Sequence, residues 1–370
     1  MQELYVGSSP HIGSPVRTPV LMGHVLIALV PVSVWGIVLY GLPALRLILV
    51  SVAASVGSEA LFRRIVGREN RSGNLSAAVS GLLLALVLPP STPWWMAALG
   101  AVFAMVVVKE FFGGLGANVF NPALAGRAFL LMSFPAAITS WPLPRGAKEI
   151  SDTVKAAEAL SGATPLGITA LGGSVADVGR EFAAFGLAPA PDYWQTMRTL
   201  FIGNHSGTIG ESSILLILAG CLYLLVTGVI DWRAPLTMAG SALGLSFLLR
   251  MAGSALGIPA LLHMDPLFSV LAGGLCFGAA FMATDYTTTP STAAGRLLFG
   301  AGAGIITVLI RVWGNYPEGV TFGILIMNAL SPFLNRLIQK KYGFVKKSKP
   351  AAGGKGGTAG SPQPAKGAAL

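Results

Sequence analysis

The sequence predicts an all-α integral membrane protein with about ten transmembrane helices. Of its 370 residues, 53% are apolar and only 11% are charged, whereas soluble domains carry about 25% charged residues. The mean hydropathy is +0.69. Gly and Pro, at 47 and 24 residues, are tolerated in bilayer helices, where small side chains permit close packing and broken helices can line a site. This composition excludes an ordinary soluble enzyme.

Apolar runs of about 20 residues, or fewer where a helix is broken, place the individual spans. The third and fifth runs are short and are interrupted by Gly or Pro. We expect about ten spans, at residues 21–40, 43–62, 75–89, 94–112, 122–138, 212–230, 235–253, 264–284, 295–313 and 317–335.

A recurring tripeptide indicates an internal repeat. Pro-Ser-Thr at 90–92 precedes a Gly-rich span that ends at 113–114, and the same tripeptide at 290–292 precedes another that ends at Gly314. If these spans correspond, the fold is a five-plus-five inverted repeat, an arrangement that commonly binds ligands near the midplane between its halves. Chance recurrence in a Pro-rich membrane protein is the alternative.

Basic residues near the span ends orient the chain. Lys and Arg number 25 against 15 Asp and Glu, and the excess lies in two clusters, one after the second span and one after the last. The clusters contain Arg63, Arg64, Arg68 and Arg71, and then Arg336, Lys340, Lys341, Lys346, Lys347, Lys349, Lys355 and Lys366. Both clusters face the cytoplasm if the N-terminus is cytoplasmic and the span count is even. The positive charge therefore indicates membrane topology and no nucleic-acid partner.

This orientation divides the chain into four parts. Residues 1–138 form the first membrane half, 139–211 an external loop, 212–345 the second membrane half, and 346–370 a disordered basic cytoplasmic tail. The loop carries seven acids against five bases, the sign expected of an external segment.

Apolar and aromatic residues of the external loop, such as Phe182, Tyr193 and Trp194, can fold it down, so we expect ordered structure there. The loop also contains Ser161, Gly162, Ala163 and Thr164. By composition these four form an ordinary turn with an accessible Thr hydroxyl, which a dedicated transferase could esterify to a phosphate. The residues alone favour the simple turn.

Few residues indicate catalysis by type and spacing. The four His are scattered, the two Cys lie in apolar runs, and the sequence has no Gly-rich phosphate loop that ends in Lys-Ser or Lys-Thr. We therefore expect neither a catalytic residue nor a metal site in this chain.

Ionisable residues at membrane depth usually face the protein interior and pair, or line a path. Arg46, Lys109 and Arg311 lie near span ends, where we expect their side chains to snorkel to the interface. Glu59 can pair with Arg63, one helical turn further on. These five charges thus have structural explanations.

Two polar breaks in the apolar sequence are candidate binding positions. Asn121 lies in the Gly-rich stretch 113–123 and Asp285 begins the stretch 285–290. Gly permits a flat ligand to approach the backbone, and Asn offers both donors and acceptors. A tight interhelical turn is the alternative for each stretch.

Motifs in order along nearly all of residues 1–345 resemble the RnfD/NqrB family of membrane flavoproteins. The motifs lie at 89–96, 113–123, 133–135, 139–141, 161–166, 284–286, 295–297 and 316–320. The chain is similar both to the RnfD subunit of the Rnf electron-transport complex and to the NqrB subunit of the sodium-pumping NADH:quinone reductase. Its short N-terminus leads us to expect the Rnf type.

The resemblance implies two flavin cofactors. In this family the last Thr of a Ser-Gly-Ala-Thr motif carries covalent FMN through a phosphoester, and Thr164 is the matching residue, with 161–163 completing the motif. Glu158 stands where members often have Asp. The family also holds a noncovalent riboflavin in the membrane domain, and we expect the Asn121 and Asp285 regions to line its site.

The resemblance further implies a function. The complex passes electrons between reduced ferredoxin and NAD and couples this to Na⁺ or H⁺ transport. This subunit would relay electrons through FMN and riboflavin and would not be catalytic alone. A cofactor-free solute transporter or channel, which predicts a colourless protein, is the alternative of another class.

The implied partners are those of an Rnf complex in the lipid bilayer of a bacterial or archaeal cytoplasmic membrane. They are an external FMN-bearing subunit, membrane iron–sulfur subunits, cytoplasmic NAD- and ferredoxin-interacting subunits, and a flavin transferase for maturation.

Overall fold

The computed structural model contains long apolar helices. It describes residues 17–69, 72–145, 147, 164–257, 265–314 and 318–337. These residues belong to one structural unit, Met1–Ile338. A second unit, Gln339–Leu370, and with it the predicted tail at 346–370, lies outside the described residues.

The helices are numbered in chain order. Up to residue 145 they are α1 (Thr18–Tyr40), α2 (Leu42–Ile65), α3 (Ser76–Leu86), α4 (Trp94–Val102), α5 (Pro122–Ser133) and α6 (Pro135–Ile138). The turns of a π-helix, Phe103–Glu110, continue α4. The next segment contains α7 (Pro165–Ala170), α8 (Val175–Ala184) and α9 (Tyr193–Ile202).

The remaining helices follow residue 213. They are α10 (Ile214–Val226), α11 (Arg233–Leu256), α12 (Pro266–Leu271), α13 (Leu275–Phe277), α14 (Ala293–Trp313) and α15 (Val320–Leu337). A π-helical segment, Gly278–Met282, continues α13.

Among the described residues, four helices are long and apolar enough to cross a bilayer unaided. They are α1, α2, α11 and α14, with 23, 24, 24 and 21 residues. Helices α3 and α10 are also apolar, but with 11 and 13 residues they fall short of the roughly 20 that a bilayer requires. The described residues thus confirm the all-α class and provide four candidate membrane spans, while the count of about ten spans stays a prediction.

A single residue, Gly41, joins α1 to α2. Its φ of 72° lies in the left-handed region that glycine adopts without strain, and its N–H donates to Ile37 O at 2.7 Å. One residue thus connects the end of α1 to the start of α2.

Helices α2 and α11 pack in similar surroundings. Helix α2 packs against α3 and α4, and α11 packs against α12 and α14. The hydroxyl of Ser51 in α2 donates to Gly81 O in α3 at 2.8 Å, and Ser246 in α11 donates to Ser269 Oγ in α12 at 3.0 Å. A buried serine therefore fixes each of these two helix pairs.

The segment between α9 and α10 inserts into the helix bundle. The N–H groups of Ile209 and Gly210 donate to Leu88 O at 3.3 Å and Leu86 O at 2.7 Å, which satisfies carbonyls left without helical partners where α3 ends. A Cβ at Gly36 in α1 would lie 2.5 Å from Ile209 Cγ2 and 2.8 Å from its carbonyl oxygen. Only a glycine at that position leaves room for the inserted segment.

A separate small core orders the predicted external segment. Val178 and Phe182 of α8 and Leu200 of α9 pack together with Leu166 of α7. The expected ordered structure is thus present in residues 164–211. Trp194, expected to fold inward, is instead 70% exposed, because other side chains, among them Phe182 and Phe268 of α12, fill the core.

Candidate functional site

A cavity lies between the start of α5 and the loop that follows α13. Asn118 and Asn121 line it from one side, and Thr284, Asp285 and Thr287 from the other. Its volume is about 60 Å³, smaller than the roughly 300–1,000 Å³ typical of small-molecule sites. Apolar side chains form much of the remaining wall, among them Met22, Val25, Val79, Leu83, Leu115, Leu224, Ile230 and Phe281. The structure brings both predicted positions, Asn121 and Asp285, to this cavity.

Asn118 presents an unused hydrogen-bond acceptor in the cavity wall. Its Nδ2 donates to Thr287 Oγ1 at 2.9 Å and to Phe120 O at 3.1 Å. Its Oδ1 is buried and has no partner. Because a buried polar atom without a partner is unfavourable, a ligand N–H or O–H in the cavity would stabilise this side chain.

Asn121 serves mainly as the N-cap of α5. Its Oδ1 accepts from the N–H groups of Ala123 and Leu124 at 3.0 and 3.3 Å. Its Nδ2 donates to Met282 O at 3.5 Å, which joins α5 to the π-helical turn that continues α13. Asn121 therefore fixes the geometry of this part of the cavity wall and has little bonding capacity left for a ligand.

Asp285 sits in a polar turn. Its Oδ2 accepts from the hydroxyls of Thr287 at 3.0 Å and Thr288 at 3.2 Å, and its Oδ1 accepts from Thr287 N at 3.4 Å. Thr287 also accepts from Asn118, so these hydrogen bonds connect the two polar sides of the cavity. The stretch at Asp285 therefore forms a turn, which was the alternative explanation, and also lines the cavity.

Buried ion pairs border the cavity. Lys109 is 1% exposed, and its Nζ donates to Glu59 Oε2 at 3.0 Å and to Ser76 Oγ at 2.7 Å. Arg63 lies 3.6 Å from Glu59, which confirms the predicted pair, and 2.9 Å from Glu110. The expected snorkelling of Lys109 is wrong, because α2 and α3 cover this end of the helix and supply its partners.

Arg311 is also buried. Its guanidinium donates to Ser269 O and Ala272 O, carbonyls at the end of α12, where the chain breaks before α13. The expected snorkelling of Arg311 is therefore wrong, since the broken helix offers it closer acceptors than the interface. Arg46, by contrast, is exposed, and its guanidinium lies 5.8 Å from the Trp94 ring centre.

Thr164 occupies the N-cap of α7. Its Oγ1 accepts from Gly167 N at 3.0 Å, the usual role of a threonine at a helix start. The side chain was expected to be accessible, but the residue is only 7% exposed, because the adjoining α7 packs into the small core through Leu166. Ser161, Gly162, Ala163 and Glu158 lie outside the described residues.

An ionic cluster joins distant parts of the chain near this core. Arg127 in α5 pairs with Glu318, and its Nη1 lies 4.0 Å from Glu211 Oε1. All three side chains are largely buried. Glu211 belongs to the inserted segment before α10, so one guanidinium binds α5 to two other segments.

The sequence of the chain matches one family model over nearly its whole length. The model of the NQR2, RnfD, RnfE family matches residues 5–343. The chain belongs to this family.

Named members of the family resemble the chain from end to end. It is 40% identical to the D subunit of the ion-translocating oxidoreductase complex of Stutzerimonas stutzeri over 353 residues, 90% of this chain and 95% of that protein. It is 38% identical to the D subunit of the Na(+)-translocating ferredoxin:NAD(+) oxidoreductase complex of Acetobacterium woodii, over 94% of this chain and 98% of that one. It is 37% identical to the D subunit of the proton-translocating ferredoxin:NAD(+) oxidoreductase complex of Clostridium ljungdahlii, over 90% and 94%.

Two features of this family member are hard to recognise in the sequence. Asn118 lies in a stretch with a predicted binding role, yet its free acceptor depends on Thr287, 169 residues away. Arg127 is recognisable in the sequence as a charge at membrane depth. Its neighbour Glu211 is not, because in the sequence it is one of seven acids in the predicted external loop. Both acids of the cluster, Glu211 and Glu318, stand next to Gly and close to an apolar helix start, which is the signal that could have found them.

Proposed function

We propose that this chain is the RnfD subunit of an Rnf-type ion-translocating ferredoxin:NAD⁺ oxidoreductase, a membrane component of its electron relay. The observation that carries the proposal is similarity to two such subunits over at least 90% of this chain and 94% of theirs. The sites for ferredoxin and NAD⁺ belong to other subunits of the complex. The family model also includes NQR2, so the NqrB subunit of the sodium-pumping reductase is the second candidate.

The proposed topology has ten crossings in two inverted halves of five, with cytoplasmic termini and the segment 139–211 outside. Its support is the similar packing of α2 and α11 and the breaks after α3 and α12, which are typical of inverted-repeat membrane proteins. The location is a cytoplasmic membrane, where the partner subunits also lie or dock.

Thr164 is the proposed attachment point of FMN. It is a hydroxyl-bearing residue at a fixed helix start, and an ester at Oγ1 leaves that oxygen able to accept from Gly167 N. Covalent attachment prevents loss of the flavin on the external side, where dilution would otherwise remove it. The chain's own role here is to hold and orient the group.

Riboflavin is the proposed ligand of the cavity at Asn118. The proposal is supported by the buried, unpartnered Asn118 Oδ1, by the mostly apolar wall, and by the two polar sides that converge there. Because the cavity volume is about 60 Å³, its walls must move apart when a flavin binds. Flavins supply one- and two-electron chemistry when bound, and the protein supplies position and surroundings. Asn118 would accept a hydrogen bond from the ligand, and Asn121 and Asp285 would maintain the shape of the cavity wall.

In-gel fluorescence tests the attachment. The full-length chain is produced together with a flavin transferase, denatured, separated by electrophoresis and viewed under ultraviolet light. We expect a fluorescent band from the wild type and none from Thr164→Ala or Thr164→Asn. Asn is a good N-cap without a hydroxyl, so it separates loss of the ester from loss of the helix start. A fluorescent band from either variant would overturn the assignment.

A visible spectrum of the purified chain tests the wider function. A flavin relay predicts a yellow protein, and the cofactor-free transporter predicts a colourless one. A colourless preparation from cells that contain the transferase would favour the transporter.

A further inference from the structure

A second cavity, of about 890 Å³, lies beside the turn at Gly41. Leu42, Leu45 and Leu49 of α2 form one wall, and Trp94 at the start of α4 forms another. Because both α1 and α2 are long enough to cross a bilayer, their shared turn marks a membrane surface. The cavity therefore opens where lipid headgroups lie.

Positive charge is concentrated in this cavity. Among the described residues that line it, the charged ones are Arg46 and Arg145, and none is acidic. Arg145 N donates to Leu39 O at 2.8 Å, and the Arg145 guanidinium lies directly against Gly41. The Arg46 guanidinium stands over the Trp94 ring. Two guanidinium groups that line one cavity, with no acid among its described lining residues, suit an anion, and Arg matches phosphate well.

A buried hydroxyl adds a further polar group to the cavity. Thr92 is 4% exposed and lines the cavity, and its Oγ1 has no hydrogen-bond partner. The neighbouring Ser91 instead donates to Ser140 O at 2.7 Å. The Thr92 hydroxyl is thus an unused hydrogen-bond donor in the same cavity as the two guanidinium groups. A phosphate or ester oxygen could accept a hydrogen bond from it.

The apolar side of the cavity continues onto the outer surface of α2. Leu42 and Leu49 are 73% and 60% exposed, on a helix that meets the bilayer. Trp94 is half exposed at the level where aromatic side chains concentrate in membrane proteins. A ligand that fills both parts of the site has an anionic head and a long apolar chain.

We propose that this cavity binds an anionic phospholipid, with its phosphate held by Arg46 and Arg145 and an acyl chain lying along Leu45 and Leu49. In the proposed topology this face is external, where Lys and Arg are depleted from short loops. The lipid phosphate offsets part of the positive charge of Arg46 and Arg145. It also holds the Arg145 side chain at the membrane surface.

Lipid titration of the full-length chain in detergent tests the proposal. Binding is followed by native mass spectrometry with phosphatidylglycerol, with phosphatidylcholine, and with inorganic phosphate as a free anion. We expect retention of phosphatidylglycerol alone. Arg46→Gln with Arg145→Gln should weaken its binding by on the order of tenfold or more, because charge-assisted hydrogen bonds are lost. Both side chains are exposed, so the variant should fold, which its elution volume checks.

Arg64→Gln is the matched control, since Arg64 is exposed at the opposite end of α2 and should leave lipid binding unchanged. Equal phosphatidylglycerol binding by the wild type and the double variant would overturn the proposal. So would equal retention of phosphatidylcholine, or displacement of the lipid by inorganic phosphate at matched concentration. None of these readouts depends on bound flavin, so failure of the lipid proposal would not contradict the proposed electron relay.

Discussion

Arg127 and Glu318 form an ion pair across 191 residues of sequence. Arg127 lies in the second turn of α5, and Glu318 precedes α15 by two residues. Glu211 approaches the same guanidinium, and the buried Arg311 interacts electrostatically with both carboxylates. The pair therefore fastens the two proposed halves to each other at a point that neither half could form alone.

Arg127→Gln should strongly destabilise the protein. Removal of one partner from a buried ion pair costs about 3–5 kcal/mol, because the remaining charge is left uncompensated. The free energy of unfolding in detergent, measured by denaturant titration, checks this. Arg180→Gln is the control, since Arg180 pairs with Asp177 on an exposed helix face, where such pairs contribute about 0–1 kcal/mol. Similar losses in the two variants would contradict the structural role of Arg127.

Lys109 and Glu59 should behave as a coupled pair. Lys109→Met alone leaves the buried Glu59 carboxylate near Arg63 only, and Glu59→Met alone leaves a buried ammonium group. Each single change should cost several kcal/mol, on the order of 3–5. The double change should cost less than the sum of the two, because it leaves neither charge unpaired. The thermal midpoints of the wild type, the two single variants and the double variant measure the coupling. If the two single effects simply add up in the double variant, the residues are not coupled.

The fold was predictable where it depends on local sequence. Length and hydropathy marked α1 and α2 because a membrane helix must be about 20 apolar residues long, and Pro-Ser-Thr marked the starts of α4 and α14. Whether a charged side chain near a span end is buried or exposed was not predictable. Lys109 and Arg311 are buried because distant helices cover them, whereas Arg46 is exposed, and the sequence near each residue does not distinguish these outcomes.

The candidate site was predictable in position and less so in roles. Asn121 and Asp285 were selected as polar breaks, and the structure places both at one cavity. Their side chains, however, are engaged in a helix cap and a turn, since polar breaks must first satisfy their own backbone groups. The free acceptor belongs to Asn118, which could be recognised only after Thr287 was placed beside it.

Tyr193 should titrate at higher pH than an ordinary tyrosine. Burial, together with the charge of Asp265, which accepts the Tyr193 hydroxyl hydrogen bond at 3.1 Å, raises its pKa. A raised pKa in the folded state contributes stability below the unfolded value of about 10, which is lost as the pH rises through the folded value. Ultraviolet absorbance of tyrosinate, compared with Tyr193→Phe, isolates this group. Asp265→Asn should shift its titration to lower pH, and an unchanged curve would contradict the assignment.

Gly36 and Gly23 provide a matched test of the inserted segment. In Gly36→Ala the new Cβ collides with Ile209, so the segment before α10 must move from the end of α3. Gly23, in the same helix, has no atom within 4 Å of its Cβ position, so Gly23→Ala should be neutral or stabilising by up to about 1 kcal/mol. Limited proteolysis between α9 and α10 should speed up only in Gly36→Ala. Equal protection in both variants would show that the segment does not depend on this contact.

Asn118→Ala should lower the content of noncovalent flavin and leave the flavin on Thr164 intact. The change removes the acceptor that we propose for the ligand. A lost hydrogen bond to a buried ligand costs roughly 0.5–1.5 kcal/mol, about a twofold to thirteenfold loss of affinity. Flavin released on denaturation is measured against flavin that stays on the chain. Asn335→Ala is the control, because Asn335 accepts from Ser291 and is not among the residues of the cavity wall. If both variants release as much flavin as the wild type, riboflavin does not bind at Asn118.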